Sequence, residues 1–430
     1  MKNHIFTLSS GFRGFPPGAE PVASTDIASR NWSPVTGEMA LPLLSLDLQT
    51  FNDNVDAMMS IVKSHGAKIA PHGKTPMSPV LARQMVDSGA WGTSVADLRQ
   101  AEVMLAGGLN KILLANQIGG HAAVTRLAGL LRKYPKAELL LFVDTPEFID
   151  ALEEQYAQEP SLPPLGLLIE ISCGRGGVST EGEFAAMLHR IDSNNDERLT
   201  LQGIAFYEGT CMKEDIHETE ENLKKLFERV DKSLFLLKEV FGDQENVIIS
   251  AGGSSLFDYV IEYFTRAREK YPTIQLLLRS GACFFSDNGN IRARLGRIAG
   301  RGKLGKESSM IIASFFKPTL RLWAEVISRN GESIAICGLG MRDSSIDQGV
   351  PIPLALWRGG NKVADIMDKS QTVKLNDQHA FIDIHEEEFR VGDVIEFGIR
   401  HPCTCIDKHD IIYGLNQNVT VTAAYKTFFG

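Results

Sequence analysis

No apolar run in this 430-residue sequence approaches the length of about 20 residues that spans a bilayer. The opening MKNHIFTLSSGFRGF also lacks the continuous apolar core of a secretion signal, so a cytoplasmic chain with no membrane partner is expected. Positive charge is scarce as well. Lys and Arg number 44 against 53 Asp and Glu, which leaves a net charge of −9 and a pI near 5.7. Nucleic-acid proteins need a dense cationic face, so that class of partner is not expected. The one basic cluster is Arg292, Arg294, Arg297, Arg301, Lys303 and Lys306, spaced over Gly296, Gly300, Gly302 and Gly305, and it reads as a solvated loop. The six cysteines (173, 211, 283, 337, 403 and 405) show no framework spacing, so free thiols are expected. There is no low-complexity tract and no sequence repeat beyond the alternation described next.

What is present is an ordinary globular composition, 43% hydrophobic and 23% charged, in a chain too long for a single core. From residue 41 onward, short apolar runs alternate with longer amphipathic ones, the pattern of βα units around a parallel sheet. Strands are expected to begin at LPLLSLDL (41–48), KIAPHGK (68–74), WGTSV, KILLANQ, ELLLFVDT, GLLIEIS, LQGIAFYEG, NVIISAGG and QLLLRSG. Between them, Leu223, Leu226, Phe227, Val230, Leu234, Leu237 and Val240 recur at helical steps, and Ser78-Pro79 has the form of a helix start. So many consecutive units predict a (β/α)8 TIM-type barrel over residues 41–290 rather than an open sheet. After about residue 290 the runs MIIASFFKP, LRLWAEVISRNGE, SIAICGLG, HAFIDI, DVIEFGIR and VTVTAAY predict an antiparallel β domain, joined by an arm of residues 1–40.

Lys74 ends the second apolar run, in Pro71-His72-Gly73-Lys74-Thr75. A P-loop does not fit, because its first glycine would fall at Lys68. A surface lysine is the default reading. A lysine at the C-terminal end of a barrel strand, beside a glycine that admits a ligand, is instead placed to attack a carbonyl. Ser250-Ala251-Gly252-Gly253-Ser254-Ser255 ends another strand and opens a helix, the form in which converging N–H groups and hydroxyls of Gly252, Gly253, Ser254 and Ser255 hold a phosphate. The alternative for this segment is a simple helix cap. His401 and Cys403, in RHPCTC, share a face if the segment is a strand, and imidazole plus thiolate suits zinc. Two ligands alone are a weak signal.

The segment PHGKTPMSPVLARQMVDSGAWGTSVADLRQAEVMLAGG resembles the N-terminal block of the D-serine dehydratase and D-threonine aldolase family, fold-type III pyridoxal-phosphate enzymes with an alanine racemase-like barrel followed by a β domain. The resemblance implies that Lys74 is the Schiff-base lysine of pyridoxal 5'-phosphate and that the SAGGSS segment is its phosphate loop. Pro76 stands where many members carry histidine, as in the amino acid deaminase branch, and no role is transferred to it. GIAFYEG resembles the segment whose aromatic residue contacts the cofactor, here Tyr207, and IEISCGRGGV resembles one that borders the site, here through Glu170 and Arg175. His72 lies in the lysine motif itself. The family's H-x-C or H-x-D pair binds a divalent metal, which implies metal ligands at His401 and Cys403, zinc being the chemical fit. Asp347 and His379 fall in segments that line the same site in the family.

The function implied is a metal-assisted dehydratase, or ammonia-lyase, converting a D-3-hydroxyamino acid such as D-serine or D-threonine to a 2-oxo acid and ammonia. A D-threonine-type aldolase giving glycine and an aldehyde is the alternative within that chemistry. Racemisation is a third option, and a non-catalytic pyridoxal-phosphate carrier is the alternative of another class. The same resemblance implies a homodimer.

Overall fold

The structure is a computed structural model and describes residues 5–242, 246–331, 333–384 and 389–429. Eight parallel strands form the first sheet: β2 (Lys68–Ile69), β3 (Thr93–Val95), β4 (Lys111–Leu114), β5 (Glu138–Val143), β6 (Leu165–Ile171), β7 (Leu199–Phe206), β8 (Val247–Ala251) and β9 (Ile274–Leu278). Neighbours in the chain are neighbours in the sheet, and β9 returns to β2. The ring closes between β2 and β3. There Trp91 N–H donates to Ile69 O (2.8 Å), Ser94 N–H to Pro71 O (3.0 Å) and Gly73 N–H to Ser94 O (2.8 Å).

These strands are apolar along nearly their whole length because each is covered on both sides. Ala70, Leu113, Leu140, Phe142, Leu168, Ala205 and Leu277 fill the barrel interior. Alternate residues such as Leu139, Leu141 and Val143 belong to the larger core that also holds the helices. The helix Ile216–Phe241 buries Leu223, Leu226, Val230, Leu234 and Leu237, as its periodicity predicts. At Pro79–Asp87 the proline is the first helical residue, but Ser78 makes no side-chain cap bond and its hydroxyl is buried without a partner.

The second sheet is almost wholly antiparallel and holds ten strands, among them Leu320–Asn330, Ile334–Cys337, Ile352–Arg358, Ala380–Ile384, Val394–Gly398, Ile411–Leu415 and Val421–Lys426. Residues of the N-terminal arm, including Phe15, Ile27 and Trp32, pack with Trp323, Ile411 and Tyr413 of this sheet.

Three sequence expectations are corrected. The run at 41–48, expected to open the barrel, forms β1 (Leu43–Asp47), which pairs antiparallel with Leu320–Asn330 and parallel with Ile411–Leu415 in the second sheet. Its side chains are buried on both faces, so its sequence looks like a barrel strand. MIIASFFKP is a helix rather than a strand, Gly305–Phe315, and packs beside the helix Leu48–Ser64. The basic segment expected as a loop is the helix Asn290–Arg301, and the barrel's helical layer therefore runs to about residue 315 instead of 290.

Candidate active site

The C-terminal ends of the barrel strands open into a cavity of about 280 Å³, lined by His72, Lys74, Thr75, Asn116, Arg175, Tyr207, Gly253, Ser254, Ser255, Arg279 and Arg294, and closed from the second domain by His401 and Cys403. Residues more than 300 positions apart in sequence thus share one wall. Thr75 Oγ1 lies 3.3 Å from Cys403 Sγ, so the segment carrying Lys74 touches the expected metal pair directly. Lys74 itself is open to the cavity.

His72 is held by the barrel's closing bridge to Ser94. Its Nδ1 is buried with no protein partner, and burial, reinforced by the nearby Lys74 and Arg279 charges, holds the ring's pKa well below the usual histidine range. A neutral imidazole therefore lines the cavity, with its Nδ1 closed off from solvent.

Tyr207 follows β7. Gly253 permits the close approach of its ring, since a Cβ there would stand 2.9 Å from Tyr207 Cε2. The Arg175 guanidinium lies over the same ring, 5.5 Å from its centroid. Arg175 also pairs with buried Glu170 at 3.7 Å, and Gln117 Nε2 donates to Glu170 at 2.5 Å. Glu170 therefore anchors Arg175 beneath the site and does not itself line the cavity.

The phosphate loop differs from the expectation in one respect. Gly252 N–H and Gly253 N–H donate to the carboxylate of Glu208, at 3.0 and 2.6 Å, which occupies the donors assigned to a phosphate. Glu208 is fully buried and its pKa is raised by that burial, against the Arg279 charge and the two N–H bonds. The Ser254 and Ser255 end of the loop lines the cavity, and Arg294 Nη1 donates to Ser255 Oγ at 2.9 Å.

His401 and Cys403 are not on a strand. His401 is the extended residue that precedes the short helix Pro402–Ile406, and this turn aims both side chains at the cavity. His401 Nδ1 lies 2.5 Å from Asp347 Oδ2, and Thr404 Oγ1 donates to Asp347 Oδ1 at 2.8 Å. Bonds to Cys403 and then to Asp347 raise the His401 pKa to about 9 against the effect of burial. Burial pushes the Cys403 thiol up, but bonds from His401 and Thr75 and the Lys74 charge bring it below the ordinary value. An imidazole oriented through Nδ1 by a carboxylate, beside a thiol disposed to ionise, is a donor pair whose chemistry suits a metal such as zinc. Among the described residues no group of three or more His, Cys, Asp or Glu is placed to hold a metal ion. His379 is exposed on the turn before Ala380–Ile384 and does not line the cavity.

Residues that the sequence reading did not single out complete the site. Arg279 is buried and donates to Ser250 Oγ (2.9 Å) and Phe206 O (2.7 Å). Asn116 and Arg279 sit at the ends of β4 and β9, and polarity at the end of an apolar strand was the available signal. Glu208 and Arg294 gave none, since their roles depend on segments brought together only by folding.

Two family models match the chain: "Alanine racemase, N-terminal domain" over residues 46–250 and "Putative serine dehydratase domain" over residues 319–415. The sequence is 24% identical over 394 residues to 3-hydroxy-D-aspartate aldolase of Paracoccus denitrificans (strain Pd 1222), covering 90% of this chain and 91% of that one. The crystal structure of D-threonine aldolase from Filomicrobium marinum superposes with a TM-score of 0.72 at 21% identity, covering 91% of this chain and 95% of that one. A mutant D-threo-3-hydroxyaspartate dehydratase solved in its metal-free form superposes with a TM-score of 0.68 at 18% identity, covering 93% of this chain and 100% of that one. The chain thus joins an alanine racemase-type N-terminal domain to a serine dehydratase-type domain, in the fold of the D-threonine aldolase and D-threo-3-hydroxyaspartate dehydratase structures.

Proposed function

We propose that this lyase acts on D-3-hydroxyamino acids with the help of a divalent metal, and that it removes water from the substrate to yield a 2-oxo acid and ammonia. The observation that supports this reading is the single cavity shared by Lys74, from the barrel, and His401 and Cys403, from the β domain. Lys74 would hold pyridoxal 5'-phosphate, with Tyr207 against its ring and Ser254 and Ser255 at its phosphate; His401 and Cys403 would hold zinc or a similar ion. Bound there, the cofactor supplies an electron sink for charge developing at Cα and the metal a Lewis acid for the β-oxygen, hydroxide being a poor leaving group.

The chain's own groups supply the rest. Lys74 Nζ, open to the cavity, moves the Cα proton. Asp347 and Thr404 fix the orientation of His401. Arg175, tied to Glu170, presents a cation at the mouth for a substrate carboxylate. His72 lines the cavity wall as a neutral group and adds no charge to it.

The cysteine in H-x-C favours dehydration, because the family's aldolases more often carry aspartate there. Aldol cleavage is the second reading, favoured by the aldolase names of two similar proteins. The test is the visible spectrum of wild type and Lys74→Ala, with ammonia and glycine measured on D-serine, D-threonine and D-threo-3-hydroxyaspartate. A borohydride-sensitive band in wild type alone, with ammonia release abolished by EDTA, supports the dehydratase. Glycine and aldehyde support the aldolase. A retained band with no turnover on any of these substrates would leave a cofactor carrier, and a colourless protein that gains no band with pyridoxal phosphate would overturn the reading.

A further inference from the structure

We infer that Arg294 supplies the positive charge that holds the cofactor's phosphate, a role that rests on the pyridoxal-phosphate reading above. Backbone donors normally carry much of such a site, but here Gly252 N–H and Gly253 N–H are committed to the Glu208 carboxylate at 3.0 and 2.6 Å. The loop thus offers a phosphate its Ser254–Ser255 end, and it offers that end beside a buried acid. A dianion placed there needs a cation, because charge taken out of water is tolerated only when it is paired.

The cations near the cavity are otherwise engaged. Arg175 pairs with Glu170 and is assigned above to a substrate carboxylate, and the charge of buried Arg279 is matched by the Glu208 and Glu170 carboxylates. Lys74 is the amine the chemistry needs. Arg294 is half-buried, lines the cavity beside Ser254 and Ser255, and donates Nη1 to Ser255 Oγ at 2.9 Å. Among the described residues it has no carboxylate partner within salt-bridge distance. Its backbone is held in place seven residues further along the same helix, where Arg301 is locked to Asp258 at 2.7 and 2.8 Å. Asp258 opens the helix that follows the SAGGSS segment, so this pair ties the arginine-bearing helix to the phosphate loop. A planar fork of five donors fits an oxyanion better than a second serine would.

The test compares pyridoxal 5'-phosphate with pyridoxal, which lacks the phosphate, on the full chain stripped of cofactor. Arg294→Gln and Arg294→Lys are titrated with each, by absorbance and by quenching of protein fluorescence. The expected result is a 10- to 100-fold weaker Kd for pyridoxal phosphate in Arg294→Gln, an unchanged Kd for pyridoxal, and an intermediate loss in Arg294→Lys. In the loaded protein the 31P resonance should stay at its dianion position through neutral pH in wild type and titrate in Arg294→Gln. Equal losses for both ligands, or no loss for either, would overturn the role of Arg294 while leaving the cofactor reading intact. If Arg294→Gln does not fold, Arg294→Lys must still discriminate between the two ligands, and failure to do so overturns the inference. Wild type that binds neither ligand would remove the cofactor reading along with it.

Discussion

The Asp258–Arg301 pair gives the sharpest test of how the site is scaffolded. Arg301 Nε and Nη2 donate to the two oxygens of Asp258 at 2.7 and 2.8 Å, the carboxylate is wholly buried, and the guanidinium lies over the Tyr259 ring at 4.9 Å. Burial raises the Asp258 pKa, and Arg301 opposes that rise. Arg301→Met preserves the stem and deletes the charge, leaving a buried carboxylate without its bidentate partner. Breaking a buried pair in this way costs about 3–5 kcal/mol, against about 1 kcal/mol or less for an exposed pair. The deficit depends on pH. Without Arg301 the folded-state pKa of Asp258 rises further above its unfolded value, so the folded mutant binds a proton that the unfolded chain does not. Its stability therefore falls as pH rises, and the loss is larger at pH 7 than at pH 5. Urea unfolding of wild type, Arg301→Met and Asp258→Asn/Arg301→Met at both values measures this, and the double variant should recover much of the loss because no uncompensated charge remains. A loss below about 1 kcal/mol for Arg301→Met, equal at both pH values, would refute the claim that this pair is a buried clamp.

Three further outcomes are expected. Asp347→Asn removes the carboxylate 2.5 Å from His401 Nδ1 and should weaken zinc binding 10- to 100-fold in competition with a chromophoric chelator; an unchanged affinity would mean that Asp347 does not orient the ligand. His409 is buried, with Nε2 2.8 Å from Asp343 O, and burial depresses its pKa to about 4. Its neutral form contributes about 3 kcal/mol above the unfolded pKa of 6.5, lost as pH falls from 6.5 toward 4, so His409→Gln should flatten the pH dependence of unfolding over that window. Gly253→Ala drives a methyl to 2.9 Å from Tyr207 Cε2, which at an overpacking cost of about 1–2 kcal/mol should weaken cofactor binding roughly 10-fold; cofactor affinity equal to wild type would show that the ring shifts freely.

The sequence alone determined the alternation of strands and helices, because burial on both faces and a period of 3.6 are written into local residue choice at Leu139–Val143 and Leu223–Leu237. It also determined the glycine-serine loop as a strand-end feature, since the strand Val247–Ala251 stops at Ala251-Gly252, whereas the run expected as a strand over 68–74 is strand only at Lys68–Ile69 and leaves Lys74 in the turn beyond it. Partnership was not local. Leu43–Asp47 is buried on both faces, as a barrel strand would be, and only pairing with Leu320–Asn330 put it in the second sheet. The arginine-rich stretch looked solvated because its glycines and charges are legible one residue at a time. As a helix it places Arg301 against Asp258 and Arg294 against Ser255, 43 and 39 positions away. Tertiary structure likewise decided that Glu208 would take the glycine N–H groups, that Asp347 would grip His401 from 54 positions away, and that His379 would stay on the surface. Composition and periodicity report how each residue meets solvent, whereas a site depends on which distant residues folding brings within hydrogen-bond reach.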